Sequence, residues 1–260
     1  MVVVLWRLQP PASLGTNASP ELFSAMRAMG ELRQVLADET PHPVGSFADD
    51  QVRERLISRL EALGYETSTQ DTMLCRGFES DWGVCSRVKN VLIQLDGQEA
   101  GPAVLLMAHY DSQPGDVGAT DDGSGVAALI ETARAMKAHG PYRNPVIFLF
   151  TDGEDSGLLG ARAFVLHHPW AKKVGVAISL DVGGVSGQSF MFRTGHDNAW
   201  LIEAYAASAL VFRGSSASEM YLVTRFIGLP ASGDYLVEAR PSNAIPGLEG
   251  DETVVYHLVK

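Results

Sequence analysis

Three apolar runs near the middle of the chain end in residues that can bind a cation or move a proton. Val104–Ala108 is followed by His109-Tyr110-Asp111-Ser112, Val146–Thr151 by Asp152-Gly153-Glu154-Asp155-Ser156-Gly157, and Val174–Leu180 by Asp181-Val182-Gly183-Gly184. A further acidic stretch, Asp121-Asp122-Gly123-Ser124-Gly125, stands just ahead of a helical pattern. If the runs are parallel strands, their ends converge at the carboxyl edge of one sheet, where such folds bind ligands. One imidazole and several carboxylates would then share a crevice. Crowded carboxylates repel and are costly to desolvate, and a divalent metal removes that conflict. Imidazole with carboxylate and no thiolate suits zinc or a similar first-row ion in a catalytic role. Each piece taken alone has a plainer explanation: a hydrogen-bonded histidine, Asp-Gly turns, an acid pair at a helix N-terminus. Three strand ends and one helix start on a single rim favour the metal.

The elements that must position these residues are legible in the pattern. Between the apolar runs lie helical stretches, Ser124–His139 closed by Gly140 and Gly157–His168 closed by Pro169. Strand, helix, strand, helix, strand with unbroken apolar strands predicts a buried, mainly parallel sheet covered on both faces. The fold class is therefore α/β, three layers with a central, mostly parallel mixed sheet. Ser19-Pro20-Glu21 reads as a helix start, with the helix running to about Ala37. A second amphipathic helix is predicted from about Asp50 to Leu63, stopped by Gly64. Short strands are expected over residues 66–72 and 91–95, a strand over Ser189–Arg193, and a helix over Asp197–Phe212 capped by Asp197.

The rest of the composition mostly excludes. The chain has 260 residues, enough for one large domain, which is expected to span residues 19–260 behind a Pro- and Ser-rich linker or anchor remnant over residues 1–18. A formal charge of −11 argues against nucleic acid, whose phosphates would be repelled. No segment is long enough to cross a bilayer. The apolar start Met1-Val2-Val3-Val4-Leu5-Trp6-Arg7 lacks the parts of a signal peptide and could be the trailing end of a membrane helix. Cys75 and Cys85 could close a loop disulfide or stand as two thiols; spacing alone leaves both open.

With Pro41-His42-Pro43-Val44-Gly45-Ser46, Ala108-His109-Tyr110-Asp111-Ser112, Asp121-Asp122-Gly123-Ser124-Gly125, Phe150-Thr151-Asp152-Gly153-Glu154-Asp155, Ile245-Pro246-Gly247 and Tyr256-His257 in this order, the chain resembles the two-zinc aminopeptidase family. That family includes secreted bacterial aminopeptidases, glutaminyl cyclases and transferrin-receptor-like peptidases. The similarity is greatest to its membrane-anchored, endoplasmic-reticulum metallopeptidase-like branch. The resemblance implies a phosphorylase/hydrolase-like zinc exopeptidase fold and two zinc ions. His109 and Asp181 would hold one ion, Asp155 and His257 the other, and Asp121 would bridge both. Asp111 would orient His109 from behind, Glu154 would be the general base, and Tyr256 would help stabilise the oxyanion. Two metals roughly 3.5–4 Å apart can lower the pKa of a bridging water and polarise the scissile carbonyl. The implied activity is an aminopeptidase that removes the first residue from peptides with a free N-terminus, the α-amine sitting near Asp181 and Glu154. The implied location is extracytoplasmic, with the parent protein membrane-anchored. The sequence does not fix the oligomeric state. His42, His139, His167, His168 and His196 read as structural or solvated.

The chain departs from the family pattern in five places. Asp155 stands where the family usually has glutamate. In the anchored branch a glutamate often replaces Asp181, and an arginine often occupies the position of Gly183. The segment from Pro230 to Ile245 is about two residues longer than the family pattern. The chain ends three residues after His257, so that ligand sits near a frayable end, and a single zinc is the alternative to two. Three other functions fit the same motif order: a one-zinc glutaminyl cyclase, a carboxypeptidase using Arg193, Arg225 or Arg240 for a substrate carboxylate, or a non-catalytic receptor-like ectodomain.

Overall fold

A computed structural model describes residues 12–76, 83–181, 190–193, 199–208 and 255–259. In chain order these form α1 (Ala25–Leu36), α2 (Phe47–Ala62), β1 (Ser68–Arg76), β2 (Val84–Leu95), β3 (Ala103–His109), α3 (Gly123–His139), β4 (Val146–Thr151) and α4 (Leu159–His167). A 3-10 turn over Pro169–Lys173 leads to β5 (Val174–Asp181), β6 (Phe190–Arg193), α5 (Ala199–Ser208) and β7 (Val255–Val259). The described strands make one sheet of order β1-β2-β4-β3-β5-β7-β6. β4, β3, β5 and β7 pair in parallel, whereas β1–β2, β2–β4 and β6–β7 are antiparallel. Five strands thus point one way and two, β2 and β6, the other, which is the mixed, mostly parallel sheet expected.

Period-two alternation on the central strands divides the core between the faces. Phe148 and Phe150 of β4 pack with Val52, Leu56, Leu60, Leu129 and Ile130 from α2 and α3, with Val35 and Leu36 of α1 in the same cluster. Ile147 and Leu149, one residue out of phase, pack with Phe164 of α4 and with Leu105, Met107 and Ala177. All six residues of β4 are buried, which is why its sequence is apolar without a break.

Two helix starts differ from the sequence reading. The first helix begins at Ala25 because Ser24, not Ser19, is the cap: its Oγ accepts the Arg27 N–H, and its own N–H is taken by buried Glu131. Residues 19–22 form a turn instead, with Leu22 N–H on the Ser19 carbonyl. The second begins at Phe47, capped by Ser46 with Asp49 and Asp50 in its first turn, three residues earlier than read. β2 is longer than expected because the hairpin with β1 extends beyond the core on mostly exposed, polar residues. Near its tip Cys75 lies opposite Cys85, and the two form a disulfide with Cα atoms 4.0 Å apart. Asp197 as a cap and the end of the helix predicted to Phe212 lie outside the described residues. No helix among the described residues is long and apolar enough to cross a membrane.

Candidate metal centre

β3, β4 and β5 end side by side. His109 is opposite Thr151 in the β3–β4 register, so the loops leaving these strands start from one level. His109 is 3% exposed. Its Nε2 lies 3.1 Å from Asp121 Oδ1 and 3.9 Å from Glu154 Oε2. Its Nδ1 faces Asp111, 3.0 Å from the carbonyl oxygen and 3.4 Å from Oδ1. Among the described residues two overlapping groups offer ligand atoms that all lie within 4.8 Å of one another: His109, Asp121 and Asp181, and His109, Glu154 and Asp155.

Asp121 and Asp181 come together because the start of α3 is tucked under the end of β3. The buried Asp122 carboxylate accepts the His109 N–H at 3.2 Å and lies against Gly125, where a Cβ would meet Asp122 Oδ1 at 2.2 Å. A side chain at position 125 would push the helix start, and Asp121 with it, away from His109. The Asp121–Asp122 peptide is cis.

Asp111 is 1% exposed and joins the two halves of the site. Its Oδ1 accepts the Glu154 N–H at 2.9 Å and its Oδ2 the Asp155 N–H at 3.4 Å, on the same carboxylate that borders the His109 ring. One acid therefore orients an imidazole and the turn carrying Glu154 and Asp155. Asp111→Asn replaces one acceptor oxygen with an NH2 group that must face an N–H or the ring. We expect a loss of about 10–100-fold in zinc affinity or turnover, read by metal titration and steady-state kinetics. Unchanged values for both would remove Asp111 from this role.

The electrostatics suit a cation. Burial, together with the charges of Asp181, Asp111 and Asp155, pushes Glu154 up to about 7 against the opposing pull of His109. Burial likewise raises Asp155. Burial works against charge on His109, but its contacts with Asp111 and Asp121 outweigh that and raise it well above the ordinary imidazole value. Buried Asp155 Oδ2 has no hydrogen-bond partner among the described residues. An oxygen stripped of water and left without a donor is a ligand atom in want of a cation. The imidazole-plus-carboxylate donor set is the one zinc accepts in catalytic sites.

Every sequence-predicted site residue with a described side chain meets at this point: His109, Asp111, Asp121, Glu154, Asp155 and Asp181. Tyr256 and His257 are on the backbone of β7, with His257 opposite Ser179 in the parallel β5–β7 register; their side chains lie outside the described residues. Gly183, Arg225, Arg240 and the 230–247 segment also lie outside them, as does the side chain of Arg193. His42 is buried beside Ser112: its Nδ1 lies 2.9 Å from the Thr40 carbonyl oxygen, and its backbone N–H donates to Ser112 Oγ at 2.9 Å, contacts that agree with a structural reading.

Sequence reading missed a buried acid pair behind the site. Asp49 of α2 and Asp152 at the end of β4 are 1% and 0% exposed, and Asp49 Oδ1 and Asp152 Oδ1 have no hydrogen-bond partner among the described residues. Burial, then the charge of Asp152, raises Asp49 to about 8. A carboxyl whose folded pKa is raised holds its proton in the native state while the unfolded chain releases it. Its stabilising contribution is complete below about pH 4 and is lost as pH rises through about 8. Asp49→Asn mimics the protonated form. Its thermal midpoint should match wild type at or below about pH 4 and exceed it near pH 9, the free-energy difference growing by up to about 1.4 kcal/mol per pH unit across the window. Parallel midpoint-versus-pH curves for the two proteins would rule this out.

Comparison with known proteins bears on the family and the fold. The model of peptidase family M28 matches residues 90–257. A vacuolar membrane protease of Candida albicans (strain WO-1) is 42% identical over 156 residues, covering 59% of this chain and 18% of that protein. Endoplasmic reticulum metallopeptidase 1 of Rattus norvegicus is 32% identical over 164 residues, covering 62% of this chain and 18% of that protein. The chain thus spans under a fifth of the length of either relative. Among solved structures, a Zn-dependent exopeptidase from Parabacteroides distasonis superposes with TM-score 0.59 at 23% identity, over 79% of this chain and 82% of that one. A glutaminyl cyclase from an Acidobacteriales bacterium superposes with TM-score 0.62 at 20% identity, over 96% and 83%. At these identities the two structures show a shared fold.

Proposed function

The chain belongs to peptidase family M28, and from that premise we propose that it is a zinc-dependent aminopeptidase that hydrolyses the first peptide bond of peptides with a free N-terminus. The observation that carries the reading is the convergence of His109, Asp121, Asp181, Glu154 and Asp155 at the carboxyl ends of three adjacent parallel strands, with Nε2 of His109 within 3.1 Å of Asp121.

His109, Asp121, Asp181 and Asp155 would hold zinc, with His257 as a further ligand and Asp121 shared between two ions. Zinc bound there supplies a Lewis acid for the scissile carbonyl and acidifies a water molecule. Glu154 has another part. Its side chain is 29% exposed, so it reaches both the metal group and the solvent side where substrate arrives. It takes the proton from water and returns it to the leaving amine, while Asp111 keeps its backbone in place. Tyr256 would donate to the oxyanion. The α-ammonium of the substrate meets an excess of carboxylate, a charge-assisted interaction typically worth about 1.5–3 kcal/mol.

We further place the parent protein on a membrane with this domain on its extracytoplasmic side. The names of the two longer relatives, each a membrane or reticulum peptidase, support that, as does the Cys75–Cys85 disulfide, which suits an oxidising compartment.

The activity is tested by paired hydrolysis of leucyl and N-acetyl-leucyl anilides with zinc-loaded protein, together with product analysis on a peptide beginning with glutamine. The free-amine substrate should be preferred by at least roughly ten- to hundred-fold in kcat/KM, because the lost interaction alone is worth that much. Comparable rates on both anilides would sink the aminopeptidase reading. Release of pyroglutamate in place of a free amino acid would replace it with cyclisation.

A further inference from the structure

The turn that carries Glu154 and Asp155 runs from the end of β4 to the start of α4 and is held from more than one side. On its inner side Asp111 accepts the Glu154 and Asp155 N–H groups. Within the turn, the Glu154 carbonyl accepts the N–H groups of Gly157 and Leu158, each at 2.8 Å. That closure puts Gly157 at φ +106° and Leu158 at φ +59°. The first is a conformation only glycine adopts freely; the second is uncommon for a leucine and persists only where neighbours hold it. On another side the Gly157 carbonyl accepts from Arg76 Nη1 at 3.0 Å. Arg76 lies so close that a Cβ on Gly157 would stand 3.0 Å from Nη1 and 3.2 Å from Cδ.

Arg76 belongs to a different part of the fold. It is the last residue of β1, which among the described strands is an edge paired to β2 alone, and it pairs with Val84 at the outer end of the ladder. Ends of edge strands are where backbone pairing opens most readily. Here the pair immediately before Arg76–Val84 is Cys75–Cys85, and it is covalently closed. A crosslink at that position keeps the final pair of the ladder together and so keeps the guanidinium over the turn. The bond it makes is charge-assisted, roughly twice as strong as a neutral one.

We propose that Arg76, fixed by the Cys75–Cys85 disulfide, is a positioning residue that sets the Glu154 carboxylate relative to His109 through the Gly157 carbonyl. The assignment rests on Glu154 being the base. A displacement of about 1 Å in a reacting group costs on the order of 100-fold in rate, so a clamp on this turn acts on kcat far more than on substrate binding. The disulfide then has a role in catalysis beyond stability, exerted through one side chain.

The experiment compares Arg76→Ala, Arg76→Lys, Arg76→Gln, the double variant Cys75→Ser/Cys85→Ser, and the disulfide variant combined with Arg76→Ala. Each is assayed on leucyl anilide well below its own thermal midpoint, with zinc content measured on the same samples. Arg76→Ala should lose about 10–100-fold in kcat with KM within about twofold and zinc unchanged. Arg76→Lys and Arg76→Gln keep a donor and should recover part of the loss. The disulfide variant should lose kcat in the same direction, and adding Arg76→Ala to it should cost much less than in wild type, because both changes release one clamp. Wild-type kcat for Arg76→Gln and Arg76→Ala, a kcat loss that tracks zinc loss, or full additivity with the disulfide variant would each overturn the proposal. Glu154→Gln run alongside separates the two ideas: an inactive Glu154→Gln with fully active Arg76 variants removes the clamp alone, whereas an active Glu154→Gln removes the base and the clamp with it.

Discussion

Glu154→Gln should lower turnover of an unblocked aminoacyl anilide by on the order of 10³-fold, the middle of the range for losing a general base, while zinc content stays at the wild-type value and the thermal midpoint does not fall. The substitution keeps shape and removes only the charge and the ability to take a proton. The turn would not notice: it is held by the backbone N–H of residue 154 on Asp111 and by the residue 154 carbonyl, neither of which changes. Glu154 Oε2 stands 3.9 Å from His109 Nε2, farther than Asp121 Oδ1 at 3.1 Å, which places it at the margin of the ligand group and not at its centre. Its position also admits a competing outcome, because its carboxylate lies close enough to His109 and Asp155 to join them on a metal. Zinc analysis separates the two roles. A base leaves zinc in place and turnover gone; a ligand loses both together. Turnover within a few-fold of wild type would exclude Glu154 from either.

The sequence carried the central strands and the meeting of most of the proposed site residues at one sheet edge because both follow from local rules. An unbroken run such as Val146–Phe150 has few fates besides a strand buried on both faces, and the residues just past its end must lie at the sheet's edge. The pattern alone thus places His109, Asp121, Glu154, Asp155 and Asp181 on one rim. What stayed hidden is non-local. The hairpin end at Ser68–Arg76 alternates poorly because much of it is exposed on both faces, so its length could not be read from apolar spacing. Ser19 and Ser24 are equally good caps on paper. Ser24 wins because Glu131, 107 positions away, takes its N–H. Asp49 and Asp152 face each other's charge only once α2 packs beside β4, and a buried pair of acids breaks the compositional rule that sequence reading applies. Arg76 gave no signal, since its partner is a backbone carbonyl 81 positions distant. The cysteines could be paired only by knowing that they stand opposite one another in the β1–β2 register.

Asp121→Ala should release more zinc than Asp181→Ala, and more than the about 10–100-fold loss of affinity expected for a supporting residue such as Asp111. We assign Asp121 the place between two ions, so its loss removes a ligand from each, whereas Asp181 serves one. The comparison is cleaner here than at the other ligands. The Asp121 side chain is 40% exposed, so truncation opens no core cavity and should not unfold the chain. Its neighbour Asp122 is the opposite case. Buried at 1% exposure with Oδ2 on the His109 N–H, it would take the strand end with it if replaced. His109 is also a poor comparator, because its ring is 3% exposed and its loss leaves a hole as well as a missing donor. Zinc bound only to the native state raises stability by RT ln(1 + [Zn]/Kd), so each tenfold loss of affinity lowers the zinc-dependent stabilisation by about 1.4 kcal/mol. The measurement is therefore twofold: zinc content after dialysis against a weak chelator, and the shift in thermal midpoint on adding zinc back. Asp121→Ala should show the smaller shift of the two aspartate variants, each shift being measured from that variant's own apo midpoint because loss of the Asp121 partner of His109 also lowers the apo midpoint. Equal zinc retention by Asp121→Ala and Asp181→Ala would remove the bridging role and leave a site organised around one ion and the His109 imidazole.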